Sequence, residues 1–219
     1  MSVSSKSPIT LVGGAGCRTD LLSTSLSLAP RLVAADAGAD VALASGHRPE
    51  AVIGDLDSLS TGAAETLADR LHRIDEQDST DFDKALRSIA APLVIAVGFT
   101  GGRLDHELAA MSALIAYPNR PCIVLGPETL AFHCPPELVL NMEAGSLVSL
   151  FPMRDVTVGM TGLRWTFDAV ALAAGARIGT SNEAVGGEVR IRTSGAGLLV
   201  ILRSSELELA AAALMRGPG

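Results

Sequence analysis

The sequence predicts an α/β N-terminal domain with a mostly parallel sheet, followed by an all-β sandwich domain. In the first half, short apolar runs alternate with helical patterns, which is typical of parallel strands joined by helices. From about residue 136, short runs rich in Val, Ile, Leu and Thr are separated by Gly, Asn, Ser and Pro, which is typical of a small sandwich. We expect the boundary at the segment CPPE, so that the domains cover residues 1–135 and 136–219.

Five apolar runs of the first half read as buried strands: ITLVGG (9–14), RLVAAD (31–36), AVIGD (51–55), PLVIAVGF (92–99) and CIVLG (122–126). Three segments between them read as helices: AAETLADRL (63–71), FDKALRSIA (82–90) and RLDHELAAMSALIAY (103–117). In the second helix, Phe82, Leu86 and Ile89 share one face, and the third also places its apolar residues three and four apart. Strands alternating with helices favour a sheet covered by helices on its faces.

Five runs of the second half read as strands of the sandwich: 137–153, 156–165, 176–182, 187–194 and 197–203. Each is short, rich in β-forming residues and bounded by turn residues. The tail ELELAAAALMRGPG (206–219) is consistent with a last strand and a short helix, or with a frayed end.

Composition limits the function classes. The chain has 219 residues, 48% of them hydrophobic, and a formal net charge of −7, which argues against general nucleic-acid binding. Lys6 and Lys84 are the only lysines, so an acidic protein of this kind would need a divalent cation to bind phosphates. The three cysteines form no two-residue spacing, and neither a signal peptide nor a membrane-spanning run is present. We expect a soluble cytoplasmic protein that does not bind membranes.

Polar residues follow several of the predicted strands. Asp36 follows RLVAA, Asp55 and Asp57 follow AVI, and the segment TGGRLD, with Arg103 and Asp105, follows PLVIAVGF. Ligands of an open α/β sheet bind outside the carboxyl ends of its strands. The sequence therefore directs four acids and one arginine toward one edge of the sheet.

Asp55 and Asp57 form the sharpest pair, in the segment GDLDS. Two hard oxygen ligands at this spacing suit Mg²⁺, which often combines a few carboxylates with substrate phosphates. The alternative is a solvated turn in which Asp57 or Ser58 caps the helix that follows.

A second acidic segment is DEQDSTDFDKAL (75–86), in which five acids fall within nine residues. Thr80 can be the N-cap of a helix with Asp83 at position N3, a variant of the capping box. Asp81 in the first turn then interacts favourably with the helix dipole. Because capping needs only one or two acids, the others indicate either a solvated loop or metal chemistry.

The third segment is GFTGGRLDHE (98–107). Gly101 and Gly102 would let backbone N–H groups approach a phosphate, and Arg103 would add donors for its oxygens. Asp105 could orient Arg103 or reach a metal. The alternative is a glycine-rich turn with a surface ion pair.

Taken together, the segments resemble the thiamine pyrophosphokinase family. The similarity lies in their order: ADAGAD (35–40), IGDLDSL (53–59), EQDSTDFDKAL (76–86), GGRLDH (101–106), TGLRW (161–165) and TSN (180–182). It covers most of the chain. One departure is ADAGAD, where the family usually reads closer to A-D-G-G-A-N.

The resemblance implies an α/β catalytic domain and a β-sandwich, with ATP and thiamine as substrates and thiamine diphosphate and AMP as products. By this resemblance Asp55, Asp57 and Asp81 bind Mg²⁺ and the ATP phosphates. Arg103 and Asp105 complete the phosphate site. The residues implied to hold thiamine are Gln77, Trp165, Ser181 and Asn182, and Asp36 is implied to bind on the substrate side.

Trp165 has two interpretations. A lone tryptophan in a β domain is more often a core residue, but the surrounding TGLRW favours stacking of its ring on a flat cation such as thiamine. The resemblance also implies a homodimer in which the β-sandwich of one subunit contributes to the site of the other. The alternatives are a diphosphokinase for a pterin alcohol, a non-catalytic nucleotide sensor and a metal-dependent phosphohydrolase.

Overall fold

The computed structural model describes residues 3–15 and 19–216. The chain divides into two compact units. Unit 1 comprises Met1–Ala113 and Val124–Pro127, and unit 2 comprises Leu114–Ile123 and Glu128–Gly219. The division into domains 1–135 and 136–219 stays a prediction.

Unit 1 alternates short strands with helices. Its strands are β1 (Val3–Ser4), β2 (Ile9–Val12), β3 (Arg31–Ala35), β4 (Ala51–Gly54), β5 (Leu71–Arg73), β6 (Ile89–Ala90) and β7 (Val94–Val97). Its helices are α1 (Thr19–Leu28), α2 (Gly38–Ala44), α3 (Thr61–Thr66), α4 (Asp81–Ser88) and α5 (Leu104–Ala116), and β8 (Cys122–Leu125) ends in this unit.

Strand pairing in unit 1 is parallel. The pairs are β2 with β7, β3 with β4, β4 with β5, and β1 with β6. Every residue of β2, β4 and β7 is buried, as expected for a parallel sheet with both faces covered. The prediction of an α/β domain with a mostly parallel sheet is confirmed.

The local sequence of helix α4 accounts for its N-cap and its buried face. The Thr80 hydroxyl accepts the backbone N–H of Asp83 at 3.3 Å, so the predicted N-cap is confirmed. Phe82 and Leu86 are buried in α4, which confirms the predicted apolar face for these two residues, and Ile89 is buried outside the helix. The helix ends at Ser88, and Ile89 belongs to β6.

Helices α3 and α5 differ in detail from the prediction. The N-cap of α3 is Ser60, whose hydroxyl accepts the N–H of Ala63, so capping by Asp57 or Ser58 is wrong. In α5 the apolar stripe is buried only in the second half of the helix, at Leu114 for example, while Leu104 and Leu108 in the first half are exposed.

Unit 2 consists of antiparallel strands and one helix. The strands are β9 (Thr129–His133), β10 (Glu137–Met142), β11 (Leu147–Pro152), β12 (Val156–Thr161), β13 (Phe167–Leu172), β14 (Gly179–Glu183), β15 (Gly187–Thr193) and β16 (Leu198–Arg203). Their orders are β10–β15–β12–β13 and β14–β11–β16–β9. The prediction of a sandwich is confirmed.

Strands β10 and β12 alternate between buried and more exposed residues, whereas β11 and β16 are buried along most of their length. In β10 the buried residues are Leu138, Leu140 and Met142, two positions apart, as the period of a strand requires. The tail forms helix α6 (Leu207–Met215) and not a strand. Among the described residues, no helix has both the length and the apolar character needed to cross a bilayer.

Candidate active site

Three of the four acids predicted to lie at one edge of the sheet come together in unit 1, and the fourth, Asp105, is paired with Arg103 instead. Asp36 directly follows β3 and Asp55 directly follows β4, and these strands are parallel neighbours. The backbone N–H of Asp36 donates to the Ile53 carbonyl at 3.0 Å, which continues the ladder past the end of β3. Carboxylate oxygens of Asp36, Asp55 and Asp57 all lie within 4.8 Å of one another.

The backbone at this edge adopts conformations that L-residues rarely occupy. Asp36 has φ 42° and Leu56, between the two other aspartates, has φ 66°. A Cβ at Gly54 would lie 3.0 Å from the Asp36 Cβ and 3.0 Å from the Asp81 Oδ1, so the site tolerates only glycine there without a shift. Such strain persists only where the surroundings enforce it, and it brings the carboxylates together.

Asp36 is the most buried member of the cluster, with 4% of its surface exposed. Its Oδ2 accepts the N–H of Ser58 at 3.2 Å, while its Oδ1 is buried and accepts no hydrogen bond from any residue that the structure describes. Burial, and then the negative charge of Asp81, raise the pKa of Asp36 to about 6. A buried carboxylate oxygen without a partner favours either protonation of Asp36 or the approach of a positive charge.

Lys84 lies behind the cluster and was not predicted as a site residue. It is 1% exposed, and its ammonium donates to Asp55 Oδ2 at 2.7 Å and to Asp81 Oδ1 at 3.3 Å. This hydrogen bond is the main cause of the lowered pKa of Asp55. Burial lowers the pKa of Lys84, but the two carboxylates outweigh burial and raise it. The available signal was its position three residues after Asp81, on the same face of α4.

Most acids of the second acidic segment have structural partners. Glu76 and Asp83 both pair with Arg87, and Asp75 pairs with Arg73. Asp81 shares the Lys84 ammonium with Asp55 of the cluster, because Lys84 forms an ion pair with both carboxylates.

Two further residues of the predicted segments, Gln77 and Asp40, form hydrogen bonds at or near the cluster. The Gln77 amide Nε2 lies 3.5 Å from Asp55 Oδ2, so Gln77 borders the cluster. Asp40, the departure in ADAGAD, accepts the N–H of Ser60 at 3.1 Å and also its hydroxyl. Asp40 therefore supports the N-terminus of α3.

A cavity of about 380 Å³ adjoins the cluster within unit 1. Its lining includes Gly14, Asp36, Asp81, Phe99, Arg103 and Glu107. These residues come from the loops after β2, β3 and β7 and from the starts of α4 and α5. The cavity therefore lies at the carboxyl ends of parallel strands, where ligands of α/β sheets bind.

Arg103 and Asp105 form an exposed ion pair beside this cavity. The guanidinium donates to both carboxylate oxygens, at 3.1 and 2.6 Å. The hydrogen bond from Arg103 lowers the pKa of Asp105. An exposed ion pair is what the alternative interpretation of this segment predicted, and the two roles of Asp105, orienting Arg103 or reaching a metal, stay predictions.

Glu107 also contacts this loop, although no sequence pattern singles it out. Its Oε1 accepts the backbone N–H of Gly101 at 2.6 Å and of Gly102 at 3.2 Å. The glycine amides that were predicted to approach a phosphate are thus bound to a carboxylate.

The predicted thiamine residues of the second half cluster in unit 2. The Asn182 side chain binds both backbone groups of Trp165: Oδ1 accepts the N–H at 3.2 Å and Nδ2 donates to the carbonyl at 2.8 Å. Ser181, with φ 61°, donates its N–H to Ser149 Oγ. Trp165 is 50% exposed with the Arg164 guanidinium 4.9 Å from its ring, so the core interpretation of Trp165 is wrong.

Both halves of the chain match models of one protein family. The thiamin pyrophosphokinase catalytic domain matches residues 22–125, and the vitamin B1 binding domain of thiamin pyrophosphokinase matches residues 132–198. Together the two matches span more than half of the chain, in the order in which the domains occur here.

Individual relatives agree with these matches. Thiamine pyrophosphokinase 3 of Oryza sativa subsp. japonica is 30% identical over 159 residues, which are 62% of this chain and 58% of that protein. Thiamin pyrophosphokinase 1 of Caenorhabditis elegans is 28% identical over 177 residues, which are 73% of this chain and 71% of that protein.

Solved structures show the same fold. The crystal structure of thiamin pyrophosphokinase from Geobacillus thermodenitrificans has a TM-score of 0.73 at 24% identity, covering 92% of this chain and 99% of that one. The yeast thiamin pyrophosphokinase structure has a TM-score of 0.71 at 17% identity, covering 97% of this chain and 89% of that one. With both domain models matched in order, the chain belongs to the thiamin pyrophosphokinase family.

Proposed function

We propose that this protein is a thiamine diphosphokinase, which transfers the diphosphoryl group of ATP to the hydroxyl of thiamine and releases AMP. The observation that carries the proposal is the ordered match to both the catalytic and the vitamin B1 binding domain of this family. The carboxylate cluster beside a cavity in unit 1 supports it, because transfer from ATP requires a site for a metal and phosphates. The matches give no support to a pterin diphosphokinase or a nucleotide sensor.

The proposed metal is Mg²⁺, with Asp55, Asp57 and Asp81 as the ligands implied by the resemblance. The donor chemistry fits, because hard carboxylate oxygens of Asp36, Asp55 and Asp57 lie within 4.8 Å of one another, and we therefore add Asp36 to the proposed set. When bound, such a cation would neutralise phosphate charge and help AMP to leave. Lys84 supports this assignment because it orients Asp55 and Asp81 from behind.

Arg103 is the proposed phosphate ligand from the protein. Its guanidinium lines the cavity, and Asp105 fixes its orientation through two hydrogen bonds. A planar fork of donors suits phosphate oxygens. The primary alcohol of thiamine must attack the β-phosphorus in line, and a carboxylate of the cluster is proposed to accept its proton.

The proposed thiamine residues are Gln77, Trp165, Ser181 and Asn182. An exposed indole anchored by its backbone to Asn182 presents a rigid face for a flat cationic ring. We also propose a homodimer in which Trp165 of one subunit contributes to the site of the other, and a cytoplasmic location. Exposed apolar side chains such as Leu104 and Leu108 are of the kind found at subunit interfaces.

The test is an assay with ATP, Mg²⁺ and thiamine in which nucleotide products and thiamine diphosphate are quantified together. We expect AMP and thiamine diphosphate in equal amounts. The controls omit thiamine, which detects a phosphohydrolase, or replace it with a pterin alcohol. ADP as the main product, or ATP consumption that ignores thiamine, would overturn the proposal.

A further inference from the structure

The loop between β7 and α5 is held by a carboxylate in the manner of a bound anion. One oxygen of Glu107 accepts two consecutive backbone N–H groups, from Gly101 at 2.6 Å and Gly102 at 3.2 Å. Gly101 has φ +79°, and a Cβ there would meet nothing within 4 Å. Glycine is therefore needed at residue 101 for the backbone conformation that turns both N–H groups toward one point, and not for space.

Two successive N–H groups that converge on one point form a site for negatively charged oxygens. In this protein the two N–H groups lie at the cavity of unit 1. Gly102, Arg103 and Glu107 line the cavity of about 380 Å³ that also contains Asp36 and Asp81. The Arg103 guanidinium and the two amides can donate to an anion entering the cavity, and each is occupied by a carboxylate of the protein: the amides by Glu107 and the guanidinium by Asp105.

We propose that Glu107 acts as an internal competitor of the ATP phosphates: in the free protein it occupies the Gly101 and Gly102 amides, and a phosphate must displace it in order to bind. This deepens the proposed function, on which it rests for the identity of the nucleotide. Glu107 then sets how tightly the site binds ATP. The displaced carboxylate remains in the first turns of α5, where the helix dipole still favours a negative charge.

The competition follows from charge and donor number. Two anions cannot share the same pair of N–H groups, and like charges at such short separation repel. The Glu107 side chain must therefore turn away each time a phosphate arrives. Removing its charge should tighten phosphate binding without adding any contact.

The test compares Glu107→Gln and Glu107→Ala with the parent chain. Calorimetry measures the dissociation constants of α,β-methylene-ATP, whose bridging carbon blocks diphosphoryl transfer, and of inorganic pyrophosphate, both with Mg²⁺. We expect both ligands to bind roughly three- to tenfold more tightly to the variants, with Ala at least as effective as Gln. In turnover assays the change should fall on the KM for ATP more than on kcat.

Glu65→Gln is the matched control, because it removes the same charge from an exposed position of α3 outside the cavity lining. We expect it to change either dissociation constant by less than about twofold, since an exposed distant charge is screened by salt. Melting temperatures of all variants establish that they are folded.

Unchanged affinity in both Glu107 variants would overturn the proposal. So would weaker binding that is worse in Ala than in Gln, since that order means that Glu107 braces the loop for phosphate. A parent chain that binds neither probe would also reject it. The binding measurements need no acceptor alcohol, so they stand even if thiamine proves not to be the substrate.

Discussion

Asp36, Asp55 and Asp57 carry the same functional group in three environments. Asp36 is buried with one oxygen lacking a partner among the described residues, Asp55 is paired with a buried lysine, and Asp57 is exposed. Their substitution should therefore have different effects on stability even where the effect on activity is the same. Stability measurements can therefore distinguish the roles of Asp55 and Asp57, although these two residues lie only two positions apart.

Asp57→Asn and Asp55→Asn are both expected to abolish turnover, because each removes a proposed metal ligand. Asp57→Asn should leave the free energy of unfolding nearly unchanged, since Asp57 is exposed. Asp55→Asn should lower it by about 1–3 kcal/mol, because the buried Lys84 ammonium loses its partner at 2.7 Å and keeps only Asp81. Urea unfolding and AMP formation measure the two effects.

The double variant Asp55→Asn/Lys84→Met is the control for Asp55→Asn. It removes the uncompensated buried charge, so it should recover part of the lost stability and none of the activity. Near-normal turnover in both single aspartate variants would mean that the pair forms only a turn.

The raised pKa of Asp36 predicts a pH dependence of stability. Its folded-state pKa of about 6 lies above the 3.8 of an ordinary aspartate, so its contribution favours folding at low pH and is lost as pH rises through about 6. In Asp36→Asn the side chain does not titrate, so the variant does not lose this stability as pH rises. The unfolding free energy of the variant relative to the parent should therefore increase between pH 4 and pH 7, by up to about 3 kcal/mol.

Chemical denaturation with a chelator present tests this, because a bound cation would itself lower the pKa of Asp36. Equal pH dependence in both proteins would show that Asp36 titrates as an ordinary carboxyl.

At the scale of elements, helix α4 combines two functions in one turn. Thr80 caps the helix, and Asp81 and Lys84 face the acidic cluster. The capping interpretation and the chemical interpretation of this segment are both compatible with the structure, because they concern different residues. Substitutions of the neighbouring residues Thr80 and Asp81 can test the two interpretations separately.

Thr80→Ala should cost about 1 kcal/mol of stability, because the N–H of Asp83 loses its acceptor. Asp81→Asn should lower the melting temperature little, since Asn suits a helix start and Lys84 keeps Asp55, but it should strongly reduce activity. Melting curves and AMP formation together distinguish the two. If Asp81→Asn retained full activity, Asp81 would be a structural residue alone.

The sequence predicted the strands and helices whose apolar pattern is strong, and missed those whose pattern is weak. Helix α1 is rich in Ser and Thr, a composition typical of loops; here Ser23 and Thr24 bond back to the carbonyls of Thr19 and Asp20. Helix α2 has seven residues, too few to show a period. Strand β13 is mostly exposed and therefore lacks the alternation of a half-buried strand.

The same reasoning applies to the candidate site. The strand-end rule predicted that Asp36, Asp55 and Asp57 would meet, because it depends only on parallel topology. Lys84 and Glu107 could not be assigned from local pattern. Their roles depend on which groups face them across the fold, at Asp55 and at the glycine loop.

At the scale of the whole molecule, the proposed reaction requires the predicted thiamine residues of unit 2 and the acids of unit 1 in one active site. A homodimer is proposed to bring them together. Size-exclusion chromatography with light scattering should give the mass of two chains. A monomer with full activity would reject the shared site.

Trp165→Ala should raise the KM for thiamine at least about tenfold and change the KM for ATP little, because only a ring contact is lost. Asn182 would still hold the backbone at residue 165, so the fold should persist. Arg164→Gln serves as a control that removes the cation near the ring and keeps the indole. An unchanged thiamine KM in Trp165→Ala would exclude Trp165 from the site.

Trp165 is the only tryptophan of the chain, and half of its surface is exposed. Excitation of the protein at the red edge of its near-ultraviolet band therefore reports on one defined position, with no second indole to dilute the signal. Ring stacking by a bound heterocycle changes indole emission directly. The unmodified protein thus carries its own optical reporter at the proposed thiamine site, and binding there can be followed in the absence of ATP, label or turnover.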